Sequence, residues 1–68
     1  MNAFGNFLYS LRKERRMTQQ ELADRLGVTN KAVSKWETGE AFPETAQLIP
    51  IADTFGVTVD ELLRGGRN

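Results

Sequence analysis

The sequence contains no cysteine and no histidine. Thiol nucleophiles, disulfides, imidazole bases and the usual zinc ligands are removed together. A metal could bind only through carboxylates, and no Asp-rich loop is there to hold one, so neither metal nor cofactor is expected. Long apolar runs are missing too: the longest are a few residues, against roughly twenty for a membrane-spanning helix. The opening stretch MNAFGNFLYS lacks the basic n-region of a secretory leader. A soluble, cytoplasmic chain is expected, with no membrane partner. Net charge is also absent, with nine basic and nine acidic residues, a balance that at first speaks against a nucleic-acid partner.

What is present is a chain of 68 residues, enough for one small domain with a single hydrophobic core and too little for a large enclosed active site. Its charges are unevenly distributed. Residues 1–38 carry seven Lys or Arg against four acids, and residues 39–68 carry two against five. A neutral total can hide a basic face opposite an acidic one.

Apolar residues recur three and four apart, the spacing of helices and not of strands. In MTQQEL, Thr18 stands as N-cap with Glu21 closing a capping box and Met17 and Leu22 as hydrophobic staple. VTVDEL repeats the arrangement with Thr58, Glu61, Val57 and Leu62. In VTNKAV, Thr29 caps and Val28 staples to Val33, but Ala32 stands where the acid would be. Gly27, Gly39, Gly56 and Gly65 follow the helical patterns where a left-handed residue would end them. The spacing predicts an all-α domain of five helices over 3–15, 18–26, 29–38, 45–55 and 58–64. Phe4, Phe7, Leu8 and Leu11 share one stripe of the first and are assigned to the core. Pro50, inside TAQLIPIADTF, either kinks the fourth helix or marks its true start. The domain is expected to occupy residues 1–64, with GGRN, residues 65–68, as a flexible tail.

On a wheel of about 100° per residue, Asn30, Ser34, Thr38, Lys31 and Lys35 of the third helix fall within an arc of about 140°. Ala32, Val33 and Trp36 occupy the opposite side. No acid lies on the polar arc, because Glu37 falls outside it. Such a face suits an anion with hydrogen-bonding edges to read. Trp36, on the Val33 side, is core or a hydrophobic lid. Only Gly27 and Val28 separate the second helix from the Thr29 cap, so the two helices must cross steeply, and small Ala23 lets the third approach closely. Gly27 is expected to need a positive φ.

This stretch resembles the phage Cro and lambda-repressor type of helix-turn-helix family, also called the XRE family. The residues that carry the resemblance are LRKERRMTQQELADRLGVTNKAVSKWETGE, then Pro43, IADTFGV and DELL. The resemblance covers about residues 7–63, nearly the whole chain. The resemblance implies a compact five-helix, lambda-repressor-like DNA-binding domain and a sequence-specific transcription regulator, a repressor, bound to operator DNA as a weak homodimer on inverted-repeat half-sites. By the same analogy the base-reading positions fall on Asn30, Lys31, Ser34 and Lys35. Phosphate contacts fall on Gln19, at the start of the second helix, and on Thr18, Thr29 and Thr38. Lys31 and Lys35 can grip phosphate as readily as a guanine edge, and Asn30 can read adenine or bond its own backbone. Gly27, Ala23, Val33 and Trp36 are structural. In this family an Arg of the first helix often pairs with the Glu ending the recognition helix, which implies a tie between Arg12 and Glu37; the alternative is two exposed charges contributing little. Arg15 and Arg16 are left between DNA backbone and solvent. The last helix, with Leu63 or Val59 outward, is where the resemblance places the two-fold contact.

Two other functions fit parts of this pattern. A protein-interaction module of the same fold, antitoxin-like or coactivator-like, would share every helix. An enzyme would have to draw on Glu21, Asp24, Asp53, Asp60 and Glu61, several of them already spent as helix caps, and no paired acid and base emerges. The chain is not expected to be an enzyme.

Overall fold

The computed structural model describes residues 2–67. Among them lie α1 (Ala3–Glu14), α2 (Gln19–Leu26), α3 (Asn30–Thr38), α4 (Thr45–Phe55) and α5 (Val59–Arg64). These are the five expected helices, and no strand is found among the described residues.

Each helix starts on a local bond. Thr18 Oγ1 accepts from the Glu21 amide at 3.0 Å while Glu21 Oε1 accepts from the Thr18 amide at 2.8 Å. Thr58 and Glu61 reciprocate in the same way, both at 2.9 Å. Thr29 Oγ1 accepts from Ala32 at 3.1 Å, and alanine returns nothing. Asn2, which the sequence reading did not single out, caps α1 by accepting from the Gly5 amide at 2.7 Å. Each such cap contributes about 1 kcal/mol. At α4 the Glu44 amide donates to Gln47 Oε1 at 2.9 Å. Pro50 resolves as an interior residue of this helix. It has no N–H for the Ala46 carbonyl, and because both residues are exposed water can take the place of the missing donor.

The core gathers one stripe from every helix. Leu8, Leu11, Leu22, Val33, Ile51 and Leu62 are fully buried, and Phe4 and Phe7 complete the stripe of α1. Burying a side chain of this size contributes about 1.5–3 kcal/mol. Helix α1 meets α3 backbone to backbone at Gly5, where a Cβ would overlap the carbonyls of Trp36 and Glu37. The sequence reading missed this approach, for which a lone glycine inside an otherwise helical pattern is the available signal.

Beyond α5 the chain returns to α1. The Arg67 guanidinium forks the Glu14 carboxylate at 2.9 and 3.2 Å and lies over the Phe7 ring. Asn68, the end of the expected tail, lies outside the described residues.

Candidate nucleic-acid interface

The orientation of α3 is set from behind. Gly27 takes φ +71° and the Val28 amide reaches back to the Ala23 carbonyl at 2.9 Å, so the chain reverses within two residues. Ala23 and Val33 are fully buried where α2 and α3 cross, and Trp36 is buried beside them. With its apolar side pinned, α3 presents the polar arc outward: Asn30 and Lys31 are exposed, Ser34 and Lys35 half-buried. The cap bond is made by Thr29, which leaves the Asn30 amide free. Among the described residues, none of these four side chains makes a hydrogen bond or ion pair.

The arc continues into an open cleft of about 650 Å³ between the end of α1 and the start of α2, lined by Lys13, Arg16, Thr18, Gln19 and Asn30 among others. Behind it sits a buried polar cluster. Arg12 Nε donates to Glu37 Oε2 at 2.7 Å and Arg12 Nη2 to Oε1 at 3.0 Å. A third donor, Arg12 Nη1, reaches the Met17 carbonyl at 2.8 Å and holds the α1–α2 turn. The hydrogen bond that Arg12 donates to Glu37, more than the Glu37 charge, raises the Arg12 pKa above an already high value, so the guanidinium stays ionised. Gln19 Nε2 donates to Glu37 Oε1 at 3.1 Å. One amide proton of Gln19 is thus spent inward, while the other and its first-turn backbone N–H remain free for an anion.

The expected phosphate contacts are not brought together equally. Thr18 and Thr29 use their oxygens as cap acceptors and keep a hydroxyl proton to donate outward. Thr38 lies about 12 Å along α3 from Asn30, away from the cleft, and its hydroxyl is shared between the Lys35 carbonyl and Glu40, each at 3.2 Å.

Eight of the nine cations divide into two groups, and the ninth, Arg25, is exposed on α2 outside both. Arg12 serves Glu37, Arg64 pairs with Asp60 and Arg67 pairs with Glu14. Arg15 donates to the carbonyls of Thr54 and Phe55 at 3.3 and 3.1 Å, capping the C-terminal end of α4. That role was invisible in the sequence, since its partners lie about forty residues away. Lys13, Arg16, Lys31 and Lys35 have no ion pair among the described residues, and they lie in the cleft or on the arc. A chain with zero net charge therefore has a locally positive face, because Glu37, Asp60 and Glu14 pair with cations elsewhere and, among the described residues, no acid pairs with these four.

Among the described residues no group of His, Cys, Asp and Glu could hold a metal ion, and no helix is long and apolar enough to cross a membrane.

The helix-turn-helix family pattern matches residues 8–62. The HTH-type transcriptional activator BcrR of Enterococcus faecalis is 44% identical over 62 residues, which cover 91% of this chain and 30% of that protein. The HTH-type transcriptional regulator YqaE of Bacillus subtilis is 38% identical over 65 residues, covering 96% of this chain and 56% of that one. This chain thus spans little more than half of YqaE and under a third of BcrR. In three dimensions it is similar to the P22 c2 repressor protein, solved in complex with synthetic operator 9T, with a TM-score of 0.89 and 29% identity over 96% of this chain and 98% of that one. The buried α2–α3 crossing, the family match over most of the chain and this likeness together show that the chain belongs to the helix-turn-helix family, in its phage-repressor type.

Proposed function

We propose that this chain is the sequence-specific, double-stranded DNA-binding domain of a transcriptional regulator and that it lays α3 in the major groove. One observation carries the reading: the side chains of Asn30, Lys31, Ser34 and Lys35 share an outward arc, form no hydrogen bond or ion pair among the described residues, and adjoin a cleft lined by Lys13 and Arg16, which have no ion pair there either. An α-helix fits the major groove, where amide and ammonium groups can read base edges. Gln19, Thr18 and Thr29 grip phosphate at the first turns of α2 and α3. Thr38 stays in the proposed set on exposure alone, since its hydroxyl must turn away from Glu40 to reach a phosphate.

The reading extends to repression, the mode that the name of the P22 protein carries, and to action in the cytoplasm by binding and not by catalysis. A single recognition helix reads only a few base pairs, and a chain of zero net charge gains little from counterion release. Two copies on an inverted repeat correct both deficits. Leu63, 53% exposed on α5, is the proposed two-fold contact, small enough for a weak dimer that DNA completes, whereas Val59, the other candidate, packs partly buried against the core.

Selection of bound sites from random duplex DNA at stated salt tests the proposal. Enrichment of an inverted repeat with half-site centres about one helical turn apart is expected. A pool that stays random after repeated rounds would overturn it, and a protein-interaction module would then be the better account.

A further inference from the structure

One turn of the backbone departs from the rule that the other helix ends obey. The left-handed residue that closes α2, α3, α4 and α5 is glycine in every case, Gly27, Gly39, Gly56 and Gly65. At the end of α1 it is Arg16, with φ +53°. The hydrogen bonds show the same kind of turn: the Arg16 amide reaches the Lys13 carbonyl at 3.0 Å and the Met17 amide reaches the Arg12 carbonyl at 3.0 Å, the pattern of a Schellman ending. A side chain in this conformation crowds its own carbonyl, a strain that glycine avoids. Strain retained where a cheaper residue exists points to a use for the side chain.

The side chain has no partner among the described residues. Among the described residues the Arg16 guanidinium makes no hydrogen bond, ion pair or ring contact, whereas Arg12 and Arg15 before it are both committed internally. Arg16 lines the cleft at the first turn of α2, beside Lys13 and Gln19. The turn that presents it is held by the bond from Arg12 to the Met17 carbonyl, so the backbone under Arg16 is anchored to the same cluster that orients Gln19.

We infer that Arg16 is a phosphate clamp on the DNA backbone, kept in a left-handed conformation so that its guanidinium meets the same phosphate group as the first turn of α2. The inference rests on the DNA-binding reading above and adds to it a residue which that reading left unassigned. Arginine offers two parallel donors to a phosphate, and the contact carries no base preference.

The test compares wild type, Arg16→Gly and Arg16→Lys for thermal melting and for affinity to one selected duplex across a salt series. Arg16→Gly should melt at or above the wild-type temperature while binding about tenfold more weakly, with the slope of log affinity against log salt reduced by about one. Arg16→Lys should keep the wild-type slope. Unchanged affinity and slope in Arg16→Gly, with wild type bound, would overturn the clamp alone. A wild type that binds no duplex in a salt-dependent way would overturn the DNA-binding reading and the clamp with it.

Discussion

Arg12 and Glu37, twenty-five residues apart, meet in a two-pronged ion pair with bonds of 2.7 and 3.0 Å, and both are buried beneath the proposed interface. Removing one partner strands the other's charge, whereas replacing both with apolar residues removes the desolvation cost as well. Arg12→Met and Glu37→Leu should each lose about 3–5 kcal/mol in urea denaturation, and the double variant should recover much of that loss. Losses that simply add would contradict the pairing.

Two glycines should respond differently to the same substitution. Gly5→Ala drives a methyl into backbone carbonyls of Trp36 and Glu37 that cannot swing aside, and should cost about 3 kcal/mol or more. Gly27→Ala meets nothing within 4 Å and suffers only the left-handed penalty of about 1–2 kcal/mol. Melting temperatures should therefore fall in the order wild type, Gly27→Ala, Gly5→Ala. The reverse order would refute the close α1–α3 approach.

Acid should weaken the fold through its exposed carboxylates. The Thr18 backbone amide, then its hydroxyl, holds Glu21 below the ordinary glutamate value of 4.5, and the Arg67 fork holds Glu14 below it in the same way. Because the folded values lie beneath the unfolded ones, both groups stabilise the fold above 4.5 and lose that contribution as pH falls through the depressed values. Glu21→Gln keeps an acceptor for the Thr18 amide and removes the proton-binding group. Its melting temperature near neutrality should fall below wild type, and the difference should close as pH falls, because its decline in acid is shallower. An unchanged acid limb would dissociate Glu21 from the effect.

Readout should separate by residue. Asn30→Ala should relax the preference at one base position, at about 1–3 kcal/mol. Lys35→Ala should either flatten the salt dependence, as a phosphate contact, or relax a guanine preference, as a base contact. Repeating the site selection and the salt series with each variant distinguishes these outcomes, and wild-type behaviour in both would remove α3 from the interface.

Assembly should depend on phase. Sedimentation without DNA should show mostly monomer, with two chains on an inverted-repeat duplex. Inserting about five base pairs, half a helical turn, between half-sites should abolish cooperativity. Leu63→Asp should weaken cooperativity with little change in melting temperature, since Leu63 is 53% exposed. Equal affinity for spaced and unspaced duplexes would falsify the paired arrangement.

The helices were legible because their causes are local. A Thr18–Glu21 box, a Thr58–Glu61 box and glycines taking positive φ each act within a few residues, so reading along the chain finds them. The outward arc of α3 was legible for the same reason, as spacing on a single helix. Pro50 was ambiguous, because one missing donor permits either a start or an interior position, and only the packing of Leu48, Ile51 and Phe55 into the core carries the helix through it.

What the tertiary structure alone decided is how distant groups share space. Spacing could not show that Glu37 serves Arg12 and Gln19 at once, and the family resemblance implied only the first of those bonds. Arg15 finds the end of α4, Gly5 is the clearance between α1 and α3, and Arg16 is left unpaired at the cleft. The nine cations and nine acids are a property of the sequence, but which of them cancel depends on helix crossings between residues tens of positions apart, and that cancellation gives a neutral chain a positive face.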